Sequence, residues 1–211
     1  MKKLLLCGLA YLLVLPFGTL RAANPTPVLS FTGGFGAVTS GSTVGWSFTL
    51  SGPATITSLG VYDYVGSGYA NGLVDAHPVD IWNSNGAVVA AATVPAGTGT
   101  TSNAGFRYVS IASVTLPAGT YTIGTFMPSQ SDPIIRGATI TTVPGVAYNG
   151  SRFIQADPIA YPPGDQYGSA DSYFGPNFQA TVVVPEPSAW MLVSLGATGA
   201  GLVALRRRGR A

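Results

Sequence analysis

Thr43-Val44-Gly45-Trp46-Ser47-Phe48-Thr49-Leu50 is the stretch that decides the fold class. Val44, Trp46, Phe48 and Leu50 alternate with Gly45, Ser47 and Thr49. In an extended chain this alternation puts the apolar side chains on one face and the small or polar ones on the other, the pattern of a half-buried antiparallel strand. Nowhere between Asn24 and Val184 do apolar residues recur at helical spacing over more than a turn or two.

The same pattern extends in both directions. Ile56 to Asp63 repeats it less cleanly, with Leu59 and Val61 on one face. Val79 to Trp82 and Ala87 to Val94 flank Asn83-Ser84-Asn85-Gly86, which is turn chemistry, so Val79 to Val94 is predicted to be a hairpin with a four-residue connection. Phe106 to Ile111, Ser113 to Leu116 and Thr120 to Phe126 follow, the last two separated by the reversal Pro117-Ala118-Gly119. Short strands are predicted at Ile134 to Ile140 and Val146 to Ile154, and Phe178 to Val184 is a strongly β-prone closing run. Thr32-Gly33-Gly34-Phe35-Gly36 lacks the helix and lysine of a phosphate cradle and reads as loop. About nine short strands, frequent turns and no helix predict an all-β domain, an antiparallel β-sandwich of jelly-roll-like type. A closed barrel is the alternative, and the strands are too short and irregular for an outer-membrane barrel.

The ends have a different character. Met1-Lys2-Lys3, the apolar stretch Leu4 to Phe17 and the small residues of Leu20-Arg21-Ala22-Ala23 read as a secretory signal peptide, residues 1–23, to be removed by signal peptidase. Cys7 is the only cysteine and lies inside it, so the exported domain, 24–184, has no disulfide. Its roughly 161 residues are enough to bury a self-sufficient core. Charge is segregated too. The whole chain has a formal net charge of +2. Between Asn24 and Val184, however, Arg107, Arg136 and Arg152 stand against Asp63, Asp75, Asp80, Asp132, Asp157, Asp165 and Asp171, a formal −4. Three scattered arginines form no basic stripe, which argues against nucleic acid as a partner.

The domain offers little to conventional catalysis. His77, the only histidine, precedes Pro78 at the entrance to a strand and reads as a turn or surface residue. One histidine, no domain cysteine and no Gly-x-Ser-x-Gly elbow furnish neither a nucleophilic triad nor a zinc site. No catalytic residue, metal ligand or cofactor is assigned. Paired aspartates can hydrolyse glycosides when they face each other about 5–9.5 Å apart. Loop aspartates more commonly accept bonds from their own backbone. Asp165 to Asp171 offers oxygen ligands for calcium, but without EF-hand spacing. The aromatics Tyr62, Tyr64, Tyr69, Trp82, Tyr161, Tyr167, Tyr173 and Phe174 fall near loops or strand ends. Of these, Tyr64, Tyr69, Tyr161 and Tyr167 are the candidate glycan contacts, with Asp63, Asp165 and Asp171 as hydroxyl acceptors. Trp46 and Trp82, on alternating strands, are expected in the core.

The C-terminal segment, 185–211, carries the most specific signal. Pro185, Glu186 and Pro187 are followed by the uncharged run Ala189 to Leu205 and then by Arg206, Arg207, Arg208 and Arg210. A helix over 189–205 would be about 25 Å long, at the short end of what crosses a bilayer. The arginines would remain on the cytoplasmic side. This order of motif, transmembrane helix and basic tail resembles the PEP-CTERM protein-sorting signal of Gram-negative bacteria. The resemblance implies recognition by an exosortase-type membrane protease and cleavage near the motif. It implies a precursor in the inner membrane and a product in the cell envelope or outside the cell, in the company of exopolysaccharide. Thr43 to Thr49, Gly72 to Trp82, Phe106 to Ser110, Leu116 to Gly124 and Tyr173 to Phe178 also resemble a β-rich region of other exported proteins with this signal, one without assigned chemistry. The expected function is that of a non-catalytic envelope or matrix protein associated with exopolysaccharide or biofilm. A carbohydrate-binding module and a polysaccharide-acting enzyme using paired aspartates are the alternatives.

Overall fold

A computed structural model describes residues 26–164 and 173–184. These residues form almost nothing but antiparallel β-structure. One five-stranded sheet runs, in spatial order, β1 (Thr26–Pro27), β14 (Pro176–Val182), β5 (Ala54–Tyr62), β9 (Phe106–Leu116) and β8 (Thr101–Asn103). The second runs β13 (Val146–Gln155), β4 (Ser42–Leu50), β10 (Gly119–Met127), β6 (His77–Asn83) and β7 (Val88–Val94). Two ribbons complete the set, β2 (Leu29–Thr32) with β12 (Thr139–Thr142) and β3 (Phe35–Ala37) with β11 (Ile134–Arg136).

The alternation in β4 builds the centre of the molecule. Trp46 stacks on Phe178 of β14 with ring centroids 6.0 Å apart, and Phe48 lies 4.9 Å from the same ring, so the two sheets meet across these side chains. The indole Nε1–H of Trp46 donates to the Pro176 carbonyl at 2.9 Å, which satisfies its polar edge inside an apolar layer. At one flank β7 lies against β9 and β5. The sheets draw together there, so that side of the molecule is nearly closed in the manner of a barrel.

β4 is more deeply buried than a one-faced strand. Thr43, Gly45 and Ser47 are buried along with Val44, Trp46, Phe48 and Leu50. The second face has a cover. The Trp82 ring lies over Gly124, Tyr161 meets Trp82 edge-to-face at 5.9 Å, and the Ala160 N–H donates to Thr43 Oγ1 at 3.0 Å. Trp46 and Trp82 are both buried, as expected.

The hairpin over Val79 to Val94 forms as expected. Gly86 N donates to Asn83 O at 3.0 Å, and Asn83 Oδ1 accepts from the N–H groups of Asn85 and Ala87. Other boundaries move. Phe106 to Leu116 is one strand, not two, because the irregularity near Ala112 is a bulge within the ladder to β5 and not a turn. Ile134 to Ile140 is two strands, broken at Gly137, whose φ of 65° turns the chain out of extended geometry. The closing strand starts earlier than predicted and stops at Val182. Thr32 to Gly36 is not simply loop: Gly33 and Gly34 form the corner, while Thr32 ends β2 and Phe35 opens β3.

Short turns join Leu50 to Ala54 and Leu116 to Gly119, so both sheets share one pole there. Val182, Val146 and Thr26 lie at that same pole. Tyr62, Phe106, Ser42 and Met127 lie at the opposite one. Candidate functional groups gather at this second pole.

Candidate functional site

The connection from β5 to β6, residues 63–76, leaves the sheets and returns, and two carboxylates hold it. Asp63 accepts the Gly72 N–H through both oxygens, at 3.0 and 3.1 Å, and pairs with Arg107 Nε at 2.7 Å. Arg107 also donates to Thr98 O at 3.2 Å and to Asn71 Oδ1. Asp132 accepts the N–H groups of Val74 and Asp75, each at 2.8 Å at closest, and meets His77 Nε2 at 2.9 Å. Leu73, between the two clamped points, is buried, and its carbonyl accepts the Gly97 N–H at 2.6 Å. A long polar loop thereby carries one apolar plug into the core, with the neighbouring N–H groups satisfied by charged acceptors.

His77 is not a surface residue. It is fully buried, with Nδ1 3.0 Å from the Phe126 carbonyl and Nε2 on Asp132. Both ring nitrogens therefore have a protein oxygen within hydrogen-bond distance, and the ring needs no water. Burial alone would raise the Asp132 pKa. The bonds from His77, Val74 and Asp75, together with the attraction of the ring, outweigh it and hold the carboxyl below its usual range. Ser129 Oγ, itself 2.8 Å from Ser131 Oγ, donates to Asp75 Oδ2 beside this cluster.

The tyrosines divide into separate groups. Tyr64 and Tyr69 meet edge-to-face at 5.7 Å, with Tyr62 6.5 Å from Tyr64, and Tyr64 lies against Gly36 of β3. Tyr64 and Tyr69 are partly exposed. The Tyr62 phenol is pushed up by burial first, then by its neighbours Tyr64 and Asp63. Tyr161 belongs elsewhere, against Trp82 and Gly86 on the second sheet. Tyr167 lies outside the described residues, as do Asp165 and Asp171.

Two expectations about aspartates are corrected at this pole, and two aromatics that lie near a strand end, as expected, are buried. Tyr173 and Phe174 are core residues: Phe174 packs on Phe31 and Tyr148, and Tyr173 packs on Phe153 with the Arg136 guanidinium 5.1 Å from its ring. Asp63 is no free hydroxyl acceptor, since its oxygens already serve Gly72 and Arg107. Nor do Asp63 and Asp132 accept bonds from their own local backbone; they reach 9 to 58 residues along the chain. Among the described residues no group of three or more His, Cys, Asp or Glu side chains is placed to hold a metal ion. Asp80, halfway along β6, is half-buried, and burial raises its carboxyl pKa.

Pro185, Glu186 and Pro187, the segment 189–205, the arginines 206–208 and 210, and the signal peptide all lie outside the described residues. Among those described, no helix is long and apolar enough to cross a membrane. By sequence, residues 183–208 match the family model of the PEP-CTERM protein-sorting motif. No curated protein and no solved structure matches the chain.

Proposed function

We propose, from the match of residues 183–208 to the PEP-CTERM protein-sorting motif, that the chain is a substrate of the exosortase sorting system and that its precursor is anchored in the inner membrane by a helix over 189–205. Signal peptidase removes residues 1–23, and an exosortase-type protease cleaves near Pro185 to Pro187. The product is a non-catalytic component of the envelope or of an exopolysaccharide matrix, built on a jelly-roll-like β-sandwich spanning 24–184. The observation that carries this reading is the matched signal at residues 183–208, which begins directly after the last strand ends at Val182. Facing five-stranded sheets support the sandwich reading.

Cell fractionation with and without Pro185 to Pro187, combined with the intact mass of the exported form, tests the pathway. The expected product lacks Arg206 to Arg210. An exported form that retains them overturns the cleavage step.

A second reading, carbohydrate binding, is supported by the partly exposed Tyr64–Tyr69 pair, because rigid aromatic faces stack on sugars at low entropic cost. A glycan array and retention on the organism's exopolysaccharide, with Tyr64, Tyr69, Tyr161 and Tyr167 each changed to alanine, test it. Loss confined to the Tyr64 and Tyr69 variants is expected, and equal retention of all four removes these rings from the account. Glycoside hydrolysis by paired aspartates receives no support from Asp63 and Asp132, whose oxygens are taken up by N–H groups, an arginine and a histidine.

A further inference from the structure

The strand register sorts the charges of the domain by pole. Arg152, Gly45, Gly124 and Asp80 form one row across the second sheet. Every other charged residue among those described lies on the Ser42 side of that row: Asp63 and Arg107 at the end of β5 and start of β9, Asp75 and Asp132 around His77, Arg136 in β11, and Asp157 beyond Gln155. The other half has none. Its pole is made of Ser51-Gly52-Pro53, Pro117-Ala118, Val143-Pro144-Gly145 and the end of β14, with Val183 and Val184 41 % and 45 % exposed. Thr26, Val143, Pro144 and Val182 also line a shallow groove of about 270 Å³ there.

Both chain ends leave from this neutral pole. β1 pairs antiparallel with β14, Thr26 opposite Ala180, so the chain before Thr26 and the chain after Val182 emerge side by side. From Val184 to Ala189 is a short step, at most about 17 Å of fully extended chain. The headgroup layer occupies roughly 5–8 Å of that distance.

We propose that the precursor domain rests on the outer surface of the inner membrane by this charge-free pole, with the lipid surface as its partner and the Tyr62–Tyr69 pole held away from the membrane. The inference depends on membrane anchoring through 189–205. A tether this short keeps the domain at the headgroups in any orientation, so the surface chemistry selects among orientations. Placing the acidic half against an anionic leaflet brings like charges within a screening length of about 8–10 Å. Placing the neutral pole there brings none from the described domain, and Glu186, in the tether, is equally close in either orientation. Valine and proline side chains at the rim lose little by leaving water, whereas the exposed Asp157 and the half-buried Asp75 and Arg136 of the far half would lose hydration.

The test uses the full-length precursor with Cys7→Ser, reconstituted in vesicles of equal parts phosphatidylcholine and phosphatidylglycerol. A fluorophore is placed singly through Ser51→Cys, Ala70→Cys or Ser194→Cys. Nitroxide-headgroup lipid is expected to quench the Ser51 probe strongly and leave the Ala70 probe unchanged, and chain-brominated lipid is expected to quench the Ser194 probe. Adding Ala118→Asp should relieve quenching at Ser51 and not at Ser194. Quenching at Ser194 with equal signals at Ser51 and Ala70 overturns the docking and leaves the anchor intact. No quenching at Ser194 overturns the anchor and the docking with it. Protection of Ser51 only when the membrane protease is added assigns the pole to a protein and overturns the lipid surface.

Discussion

Asp132 closes a bond 2.9 Å from Nε2 of the fully buried His77 and, with the same carboxylate, receives the N–H groups of Val74 and Asp75. One side chain therefore fixes both the start of β6 and the loop before it. Removing either partner leaves the other buried without its counterpart. Asp132→Ala is expected to destabilise the domain by about 3–5 kcal/mol, the usual cost of breaking a buried pair. Urea unfolding of the exported form measures this. A change below about 1 kcal/mol, the level of an exposed pair, would mean the clamp carries little.

The same pair sets an acid limit. The folded-state pKa of Asp132 lies below the ordinary carboxylate value, so its stabilisation is complete above that value and is lost as pH falls through the folded pKa. Asp132→Asn keeps the shape of the side chain, and with its amide oxygen in the place of Oδ2 it still accepts the Asp75 N–H, but it brings no charge to His77 at that same atom. The variant is expected to be less stable at neutral pH and to have a flatter stability profile below the carboxylate range. Unfolding free energies measured from neutral pH down through that range check both features.

Asp80 has the opposite sign. Burial raises its folded pKa, so the folded state favours the protonated form, and stability declines as pH rises through that pKa. Asp80→Asn is therefore expected to raise the melting temperature at neutral pH. The gain should vanish in acid, where both proteins carry a neutral side chain. A variant less stable at neutral pH would show that the carboxylate contributes something its environment does not reveal.

The period-two pattern made the central strands legible because apolar parity is a direct consequence of burial on one face. It also held the correct answer for His77, which shares parity with the buried Val79 and Ile81. Pro78 and the adjacent loop obscured it by marking the position as an entrance. Arg107 shows the complementary limit: it sits opposite Val61, on the parity of Val109, and no local pattern names Asp63, 44 residues away, as its partner. The second cover on β4 was hidden for the same reason, since Trp82 and Tyr161 reach it from other parts of the chain. Separating the tyrosines into distinct groups likewise required the topology. The sorting signal was fully legible because its information is linear: motif, apolar run and arginines are recognised in order.

Gly60 and Tyr108 provide a test of that long-range packing. They are direct partners across β5 and β9, and the tyrosine ring lies where a side chain on residue 60 would stand. A Cβ there would come within 2.5 Å of the ring and 2.8 Å of the Arg107 carbonyl. Gly60→Ala is expected to cost about 1–3 kcal/mol, the range for overpacking a filled site. Tyr108→Ala removes a buried ring and should cost about 3–5 kcal/mol by itself. The double variant relieves the contact with the ring and keeps only the 2.8 Å approach to the Arg107 carbonyl, so its loss should be smaller than the sum of the two single losses. A double-mutant cycle measured by urea unfolding gives the coupling directly. Strict additivity would place the strain at the Arg107 backbone and not at the tyrosine, and would show that the ring does not account for glycine at this position.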